Sequence, residues 1–183
     1  LAKIIRPTLG IFSNLGSAHD EGFVSQVEKV REKLKLFNEV EALIYCSDNA
    51  LLKSEIQQSK IPAISWGFKG GGDYLLQQQI NRITLKDKKG EFSLTLPFTD
   101  KASVENALHC IILMHHLKYS PSSIQERIAV LHAVPMRLEL KRGINNCQII
   151  DDSYNNDLGG LQISLDFLGG LQKKKKTLIL SDI

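Results

Sequence analysis

Apolar strands and amphipathic helices alternate along the first part of the chain, and this order limits the possible folds more than any other feature. Apolar runs predict strands at residues 4–12, 40–46 and 61–68, and helical spacing of apolar side chains predicts helices at 23–37 and 50–58. Parallel strands need a long crossover connection, which helices of this kind supply. The sequence therefore predicts an α/β fold around a mostly parallel sheet with right-handed crossovers.

The pattern changes after residue 68. Residues 80–85 and 91–96 alternate apolar and polar side chains around Lys88-Lys89-Gly90, which predicts an antiparallel β-hairpin. Two further helices are predicted at residues 103–117 and 122–131. The hairpin is thus expected to extend the parallel sheet before the chain becomes helical again.

A second α/β unit is predicted to begin after Pro135, which marks a linker. Its expected elements are strands at residues 138–140, 148–150 and 177–180 and a helix at 158–168. The strand at 148–150 reads as buried. We therefore expect two domains, residues 1–135 and 136–183.

Composition excludes several classes of protein. The chain has 183 residues, 43% of them hydrophobic, and a net charge of +3, which is mild. The basic run at residues 173–176 is interpreted as a solvated turn, so no nucleic acid is expected as a partner. The apolar runs are too short to span a bilayer, and no signal peptide is visible. Buried, reduced thiols are expected at the three widely spaced cysteines, Cys46, Cys110 and Cys147, and this usage favours the cytoplasm.

The sequence assigns no function to the low-complexity runs or to the histidines outside the motifs. Loops are predicted at the glycine run 70–72, the glutamine run 77–79 and the lysine run 173–176. A structural or exposed position is predicted for His109, His115, His116 and His132, which lack ligand spacing to acidic residues.

Polar turns follow two of the predicted strands. The strand at 148–150 ends in Asp151-Asp152 and a turn, and the first strand ends in a turn with Asn14 and His19. In open α/β sheets, ligands bind beyond the carboxyl ends of strands, where helix N-termini point their N–H groups outward. Both turns are therefore candidate ligand sites.

These two turns resemble motifs of the Mur ligase family, most closely those of the MurF type. The family motif Thr-Asn-x-x-x-(Ala/Asp)-His corresponds here to Ser13-Asn14-Leu15-Gly16-Ser17-Ala18-His19. The family order Arg-Leu-Glu, Gly, Ile-Asp-Asp-Ser-Tyr-Asn corresponds to Arg137-Leu138-Glu139, Gly143 and residues 149–156. The resemblance implies that residues 1–135 are the C-terminal part of the central ATP-binding domain. Residues 136–183 would begin a Rossmann-like C-terminal ligase domain.

The phosphate loop of that family, Gly-x-x-Gly-Lys-(Thr/Ser), is not found in this chain. The family places this loop upstream of the first motif. We therefore interpret the chain as a fragment and expect these 183 residues alone to lack ligase activity.

The resemblance implies catalytic and metal-binding roles for two residues. His19 corresponds to a magnesium ligand of the family, and Asn14 corresponds to a family asparagine that lies close to the nucleotide phosphates. Lys33 corresponds to a lysine that is carbamylated and then holds a second Mg²⁺ through its anionic oxygen. Two alternatives remain for this helix: Lys33 is simply a solvated lysine, or Lys35 is the residue that corresponds to the family lysine.

The resemblance also implies a set of ATP contacts. Asn106 corresponds to an asparagine that approaches adenine, although a helix asparagine without a ligand is an equally good interpretation. Arg137 is expected at the phosphates, and Asp152 is expected to accept from the ribose hydroxyls. Asp151 is left as a strand-end carboxylate. The loop over the phosphates is expected to contain Tyr154, Asn155 and Asn156.

The function implied is that of an ATP- and Mg²⁺-dependent peptide ligase of peptidoglycan precursor synthesis. It would join D-Ala-D-Ala to a UDP-N-acetylmuramoyl-tripeptide through an acyl-phosphate. The alternatives are another Mur-type or folylpolyglutamate-synthetase-like ligase and a non-catalytic nucleotide-binding module. The Ser181-Asp182-Ile183 sequence faintly resembles relatives that are fused to an alanine racemase.

Overall fold

A computed structural model of the protein describes residues 2–16, 22–132, 137–154 and 158–180. The chain forms two compact units, Leu1–Leu131 and His132–Ile183. The first unit is built around a six-stranded sheet, and the second contains a two-stranded sheet and a helix.

The strands of the first unit are adjacent in the sheet in the same order as in the chain. These strands are β1 (Leu9–Phe12), β2 (Ala42–Cys46), β3 (Ala63–Gly67), β4 (Tyr74–Gln79), β5 (Arg82–Asp87) and β6 (Gly90–Thr95). The helices are α1 (Ala2–Ile5), α2 (Gln26–Leu34), α3 (Ala50–Ser59), α4 (Lys101–His116) and α5 (Pro121–Ala129), with a 3-10 turn at Lys35–Phe37 after α2. Strands β1 to β4 pair in parallel, and β4, β5 and β6 pair antiparallel. The predicted mostly parallel sheet is confirmed.

Strand β2 is the centre of the core because both of its faces are covered. Leu43 and Tyr45 belong to an apolar cluster with residues of α2 and α3, whereas Ile44 belongs to a second cluster with residues of α4 and α5. Successive side chains of a strand point to opposite faces, so the sheet lies between two helical layers. This explains why β2 is an unbroken apolar run in the sequence.

The antiparallel part of the sheet has one apolar and one polar face. Leu76, Ile83, Leu85 and Leu94 are buried in the cluster that includes α4 and α5. At the predicted hairpin turn, the Asp87 side chain accepts hydrogen bonds from the backbone N–H groups of Lys89 and Gly90, at 2.7 and 3.0 Å. At the other end of β6, the Gln125 side chain accepts from the Thr95 N–H at 2.7 Å and donates to the Thr95 carbonyl at 3.0 Å.

Two secondary-structure predictions for the first unit are wrong. The strand expected at residues 4–12 covers only Leu9–Phe12, and Ala2–Ile5 is helical. Pro7 lacks a backbone N–H to donate to a neighbouring strand, and Arg6 has a positive φ of 45°, so the chain turns between the two elements. The glutamine run 77–79, expected to be a loop, is the end of β4, where pairing with β5 outweighs the weak strand preference of glutamine.

The second unit contains β7 (Glu139–Arg142), β8 (Gln148–Asp151) and α6 (Leu158–Gly170), with β7 and β8 antiparallel. The prediction of a buried strand at 148–150 is wrong as to burial, since 49% of Ile149 is exposed. The predicted strand at 177–180 is also wrong, because these residues form no strand. A strand needs a partner for its backbone groups, and the sheet of this unit contains only β7 and β8 among the described residues.

The three cysteines are free thiols. The expectation that they are buried is wrong for Cys110 and Cys147, which are exposed, whereas Cys46 is half-buried. Cys110 lies in an otherwise apolar helix segment but on its outer face, where the sequence alone does not distinguish it from its buried neighbours. Among the described residues, no helix has the length and apolar character needed to cross a membrane.

Candidate functional site

The carboxyl ends of β1, β2 and β3 lie at the same edge of the parallel sheet, and each is followed by a polar loop. Asn14 lies two residues after the end of β1, Asp48 two residues after the end of β2, and Lys69 two residues after the end of β3. The expectation that Asn14 lies beyond a strand end therefore agrees with the geometry.

A cleft of about 540 Å³ opens at the end of β1. It lies between the β1 end and the helical segment of α2 and its 3-10 turn, and it is lined by Ile11, Phe12, Ser13, Asn14, Glu32, Lys33, Lys35, Leu36 and Phe37. The structure therefore brings Asn14 and Lys33 to one cavity, although a loop and most of helix α2 separate them in the sequence.

The two lysines of the cleft have different neighbours. The Lys33 ammonium lies over the Phe12 ring, 6.0 Å from its centroid. Lys35 forms a salt bridge with Glu32 on the same helical segment. Both side chains remain candidates for the position of the family lysine, but Lys35 already has a carboxylate partner.

His19, the predicted metal ligand, lies outside the described residues. Among the residues that are described, no group of three His, Cys, Asp or Glu side chains is arranged to hold a metal ion. Metal binding through the predicted ligands would therefore depend on His19 and on carbamylation of Lys33.

Lys29 holds the loop that leads from Asn14 towards His19. Only 1% of Lys29 is exposed, and its ammonium donates to the Gly16 carbonyl at 2.7 Å. The sequence analysis did not identify this lysine, because its position among charged residues of α2 is typical of a solvated helix face. Its position on the apolar side of the helical repeat could have identified Lys29 in the sequence.

Loops after β2 and β3 are joined by the Asp48 carboxylate. It accepts hydrogen bonds from the backbone N–H groups of Phe68 at 2.8 Å and Lys69 at 3.1 Å. A Cβ atom at Gly67 would lie 2.6 Å from Asp48 Oδ1, so glycine is required there for the two loops to approach. This arrangement fixes the sheet edge beside the cleft loop.

Helix α4 presents Asn106 to solvent and His109 to the core. The helix begins at a cap formed by Asp100, whose side chain accepts from the Ser103 N–H at 2.9 Å. Asn106 is exposed and therefore accessible to a ligand. His109 is 2% exposed; its Nδ1 accepts from Trp66 Nε1 at 3.2 Å, and its Nε2 lies 2.9 Å from the Ser13 carbonyl.

In the second unit, the two adjacent carboxylates have separate partners. Asp152 Oδ1 accepts from the Leu138 N–H at 3.0 Å, and Asp152 Oδ2 accepts from the Ser164 hydroxyl. Asp151 accepts from Lys141 at 2.6 Å, and this bond lowers the pKa of the Asp151 carboxyl below its usual value, with help from the Ser153 hydroxyl. Each Asp152 oxygen has a further lone pair, so its internal bonds leave capacity for ligand hydroxyls.

Arg137 and Tyr154, both predicted to lie near phosphates, are in contact. The Arg137 guanidinium lies over the Tyr154 ring, 4.4 Å from its centroid. Such stacking holds the planar cation in one orientation while leaving its N–H donors available. The other two predicted loop residues, Asn155 and Asn156, lie outside the described residues.

Comparison with known proteins shows what the chain is similar to. Residues 1–114 match the Mur ligase middle domain. The chain is 25% identical over its whole length to UDP-N-acetylmuramoyl-tripeptide--D-alanyl-D-alanine ligase of Bacillus subtilis (strain 168), and 26% identical over 92% of its length to the protein of that name from Haemophilus influenzae. It covers 41% and 38% of the two relatives, or about two fifths of their length.

A solved structure of similar fold agrees with this. MurF from Acinetobacter baumannii superposes on 93% of this chain with a TM-score of 0.78 at 20% identity, and the chain covers 39% of that protein. The likeness at this identity concerns the fold alone. Since the family match extends over more than half of the residues, the chain belongs to the Mur ligase family.

Proposed function

We propose that this chain is part of an ATP-dependent ligase that joins D-Ala-D-Ala to UDP-N-acetylmuramoyl-tripeptide in peptidoglycan precursor synthesis. The main support is that four curated relatives named for this reaction match 91–100% of the chain at 25–27% identity. The cleft that contains Asn14 and Lys33 at a strand end is the geometric support.

The proposed reaction has two steps. The peptide carboxylate attacks the γ-phosphorus of ATP, which releases ADP and leaves an acyl-phosphate. The amine of D-Ala-D-Ala then attacks the acyl carbon, loses a proton and expels inorganic phosphate as the amide bond forms. Phosphoryl transfer of this kind needs positioned groups and positive charge around the phosphates more than it needs covalent help from the protein.

The cleft of the first unit is the proposed phosphate and metal side of the site. Asn14 would donate its amide N–H to a phosphate oxygen from the end of β1. Magnesium would supply positive charge at the transferred phosphate, held by the His19 imidazole and by Lys33 after carbamylation. Lys33 suits this role because its amine lies at the cleft and over the Phe12 ring. Lys35, by contrast, forms a salt bridge with Glu32.

Adenine and ribose contacts are proposed for Asn106 and Asp152, respectively. The exposed Asn106 amide would donate to and accept from the base edge. Asp152 would accept from the ribose hydroxyls with the lone pairs that its bonds to Leu138 and Ser164 leave free. Arg137, held against Tyr154, would bind phosphate oxygens, and Asn155 and Asn156 would extend that loop.

We further propose that the protein acts in the cytoplasm, which its three free cysteines favour. UDP-muramoyl-peptide and D-Ala-D-Ala would be its small-molecule partners. A fused alanine racemase domain stays a prediction from residues 181–183, which lie outside the described residues. The length of the parent reading frame would test this fusion.

The decisive experiment measures phosphate release by the full-length protein with ATP, Mg²⁺ and UDP-N-acetylmuramoyl-tripeptide. We expect turnover of the tripeptide to depend on D-Ala-D-Ala, and we expect none in a parallel reaction with UDP-N-acetylmuramoylalanine and D-glutamate, the substrates in the name of a relative from Prochlorococcus marinus that is 25% identical over 93% of this chain. Turnover with D-glutamate, or with a folate and glutamate, would assign the protein to another ligase type. ATP binding without turnover on any of these substrates would favour a non-catalytic nucleotide-binding module.

A further inference from the structure

His109 is one of the few polar side chains that are buried in the core of the first unit. It lies on α4 among apolar residues, and its ring packs edge-on against Trp66 with 4.9 Å between the centroids. Both ring nitrogens have partners, in two different strands or strand ends. A buried polar group with two such partners is expected to fix their relative positions.

The Trp66 partner determines which ring nitrogen has the hydrogen. An indole N–H can only donate, so Nδ1 of His109 must be an unprotonated acceptor. Nε2 then has the hydrogen and donates to the Ser13 carbonyl at 2.9 Å. The neutral ring satisfies both contacts, and burial also lowers the pKa of His109 below its usual value.

Ser13 is the first residue after β1 that does not pair with β2. The ladder between β1 and β2 ends with the pair Phe12 and Tyr45. The Ser13 carbonyl therefore lies just beyond the ladder and accepts from His109 instead. The next residue is Asn14, and both Ser13 and Asn14 line the cleft.

The same helix presents Asn106 to solvent one turn before His109. Through His109, the helix that bears Asn106 is hydrogen-bonded to the residue that precedes Asn14. We propose that His109 is a positioning residue of the nucleotide site: it fixes Asn14 relative to Asn106, so that one ATP molecule can contact both. This inference rests on the nucleotide site of the proposed function.

Two amide substitutions of His109 separate this role from simple packing. From the same backbone position, the shorter side-chain amide introduced by H109N reaches only towards the Nδ1 site, whereas the longer amide introduced by H109Q reaches the Nε2 site. H109N can therefore accept from Trp66 but cannot donate to Ser13. H109Q can donate to Ser13.

The test measures the Kd of a non-hydrolysable ATP analogue by calorimetry, together with Tm, for the full-length wild-type, H109Q and H109N proteins. We expect H109N to raise the Kd of the analogue about three- to tenfold, because it loses one buried hydrogen bond, whereas the Kd of H109Q should stay within about twofold of that of wild type. This difference should persist although both variants lower Tm. Binding losses that are equal in the two variants, or wild-type affinity in H109N, would overturn the positioning role.

The outcome is separable from that of the proposed reaction. Wild-type protein that binds the analogue but does not join D-Ala-D-Ala to the peptide would refute the proposed reaction and leave the His109 comparison intact. Wild-type protein that does not bind the analogue would overturn the His109 inference directly.

Discussion

Gly10 lies in β1 beneath the Phe37 ring, and replacing it by alanine should destabilise the first unit. An ideal Cβ atom at Gly10 would lie 2.5 Å from Phe37 Cδ1, 2.8 Å from Phe37 Cε1 and 3.0 Å from Leu43 Cδ1. Carbon atoms in favourable contact are about 3.5–4.0 Å apart, so the ring would have to move by about 1 Å. Leu43 is fully buried and cannot move freely. The half-buried Phe37 could move only by giving up its contact with Phe12, whose ring centroid lies 6.5 Å from its own.

The magnitude follows from two opposing terms. Overpacking of a core contact costs about 1–3 kcal/mol. Alanine also reduces the conformational freedom of the unfolded chain, which stabilises the folded state by about 0.4–1 kcal/mol where the backbone permits it. We therefore expect Gly10→Ala to lower the free energy of unfolding by about 1–2 kcal/mol.

Urea unfolding followed by tryptophan fluorescence is the assay. Trp66 is the single tryptophan of this chain and is fully buried in the first unit, so its emission reports on the unfolding of that unit. The urea midpoint should fall at an unchanged m-value, since the unfolding transition exposes the same surface.

A matched control is available at Gly16, where an added Cβ would have no neighbour within 4 Å among the residues that the structure describes. Gly16→Ala should leave the midpoint unchanged or raise it slightly. Adding Phe37→Leu to Gly10→Ala should recover part of the loss, with a favourable coupling energy in a double-mutant cycle. If Gly10→Ala were as stable as Gly16→Ala, the reasoning from the Phe37 contact would be refuted.

Three further predictions concern the candidate site and its support. Lys33→Ala should abolish most of the proposed phosphate release by the full-length protein, and added bicarbonate should not restore it, whereas Lys35→Ala should keep it. The reverse result would assign the carbamylated position to Lys35. In steady-state kinetics, Asp152→Asn should raise the KM for ATP about tenfold or more, because charge-assisted hydrogen bonds contribute about 1.5–3 kcal/mol each. Asp151→Asn should have a smaller effect, because the Asp151 carboxylate pairs with Lys141. Burial lowers the pKa of His109 below the ordinary 6.5, so below that pH the unfolded chain binds a proton at this position more readily than the folded chain does. The contribution of the neutral His109 to the free energy of unfolding is therefore complete above about pH 6.5 and is lost as the pH falls towards the lower pKa of the folded state. Urea midpoints measured between pH 7.5 and 5.5 should therefore fall more steeply in wild type than in His109→Gln, and parallel slopes would contradict the buried neutral ring.

Short-range patterns predicted the framework of the fold. Local periodicity predicted the apolar runs of β2 and β3, the helices α2 and α3 and the hairpin around Lys88-Lys89-Gly90, because a sheet with two covered faces imposes such patterns. The sequence could not locate β4, because its glutamines have only a weak strand preference and form a strand by pairing with β5. It also could not limit the first strand to Leu9–Phe12, since the apolar residues of α1 extend the same run.

The candidate site was predictable where it depends on motifs and not where it depends on tertiary contacts. The motif spacing predicted site roles for Asn14 and Lys33, and the structure brings these two residues to one cleft. It did not identify the contact between His109 and Ser13, because the two residues are 96 positions apart and neither belongs to the other's motif. The burial of Lys29 was missed for a related reason: the Gly16 carbonyl that accepts its hydrogen bond is a backbone group, which no residue type reveals.

The pair of hydrogen bonds between Gln125 and Thr95 bears on how this protein avoids aggregation. β6 is the last strand of the sheet, and an edge strand offers unpaired backbone groups to any other extended chain. A side-chain amide has the same donor and acceptor as a peptide bond, so Gln125 occupies both backbone groups of Thr95 as an adjacent strand would. Helix α5 thus closes the end of β6 to intermolecular pairing, and it does so without adding a strand that would itself present a new edge.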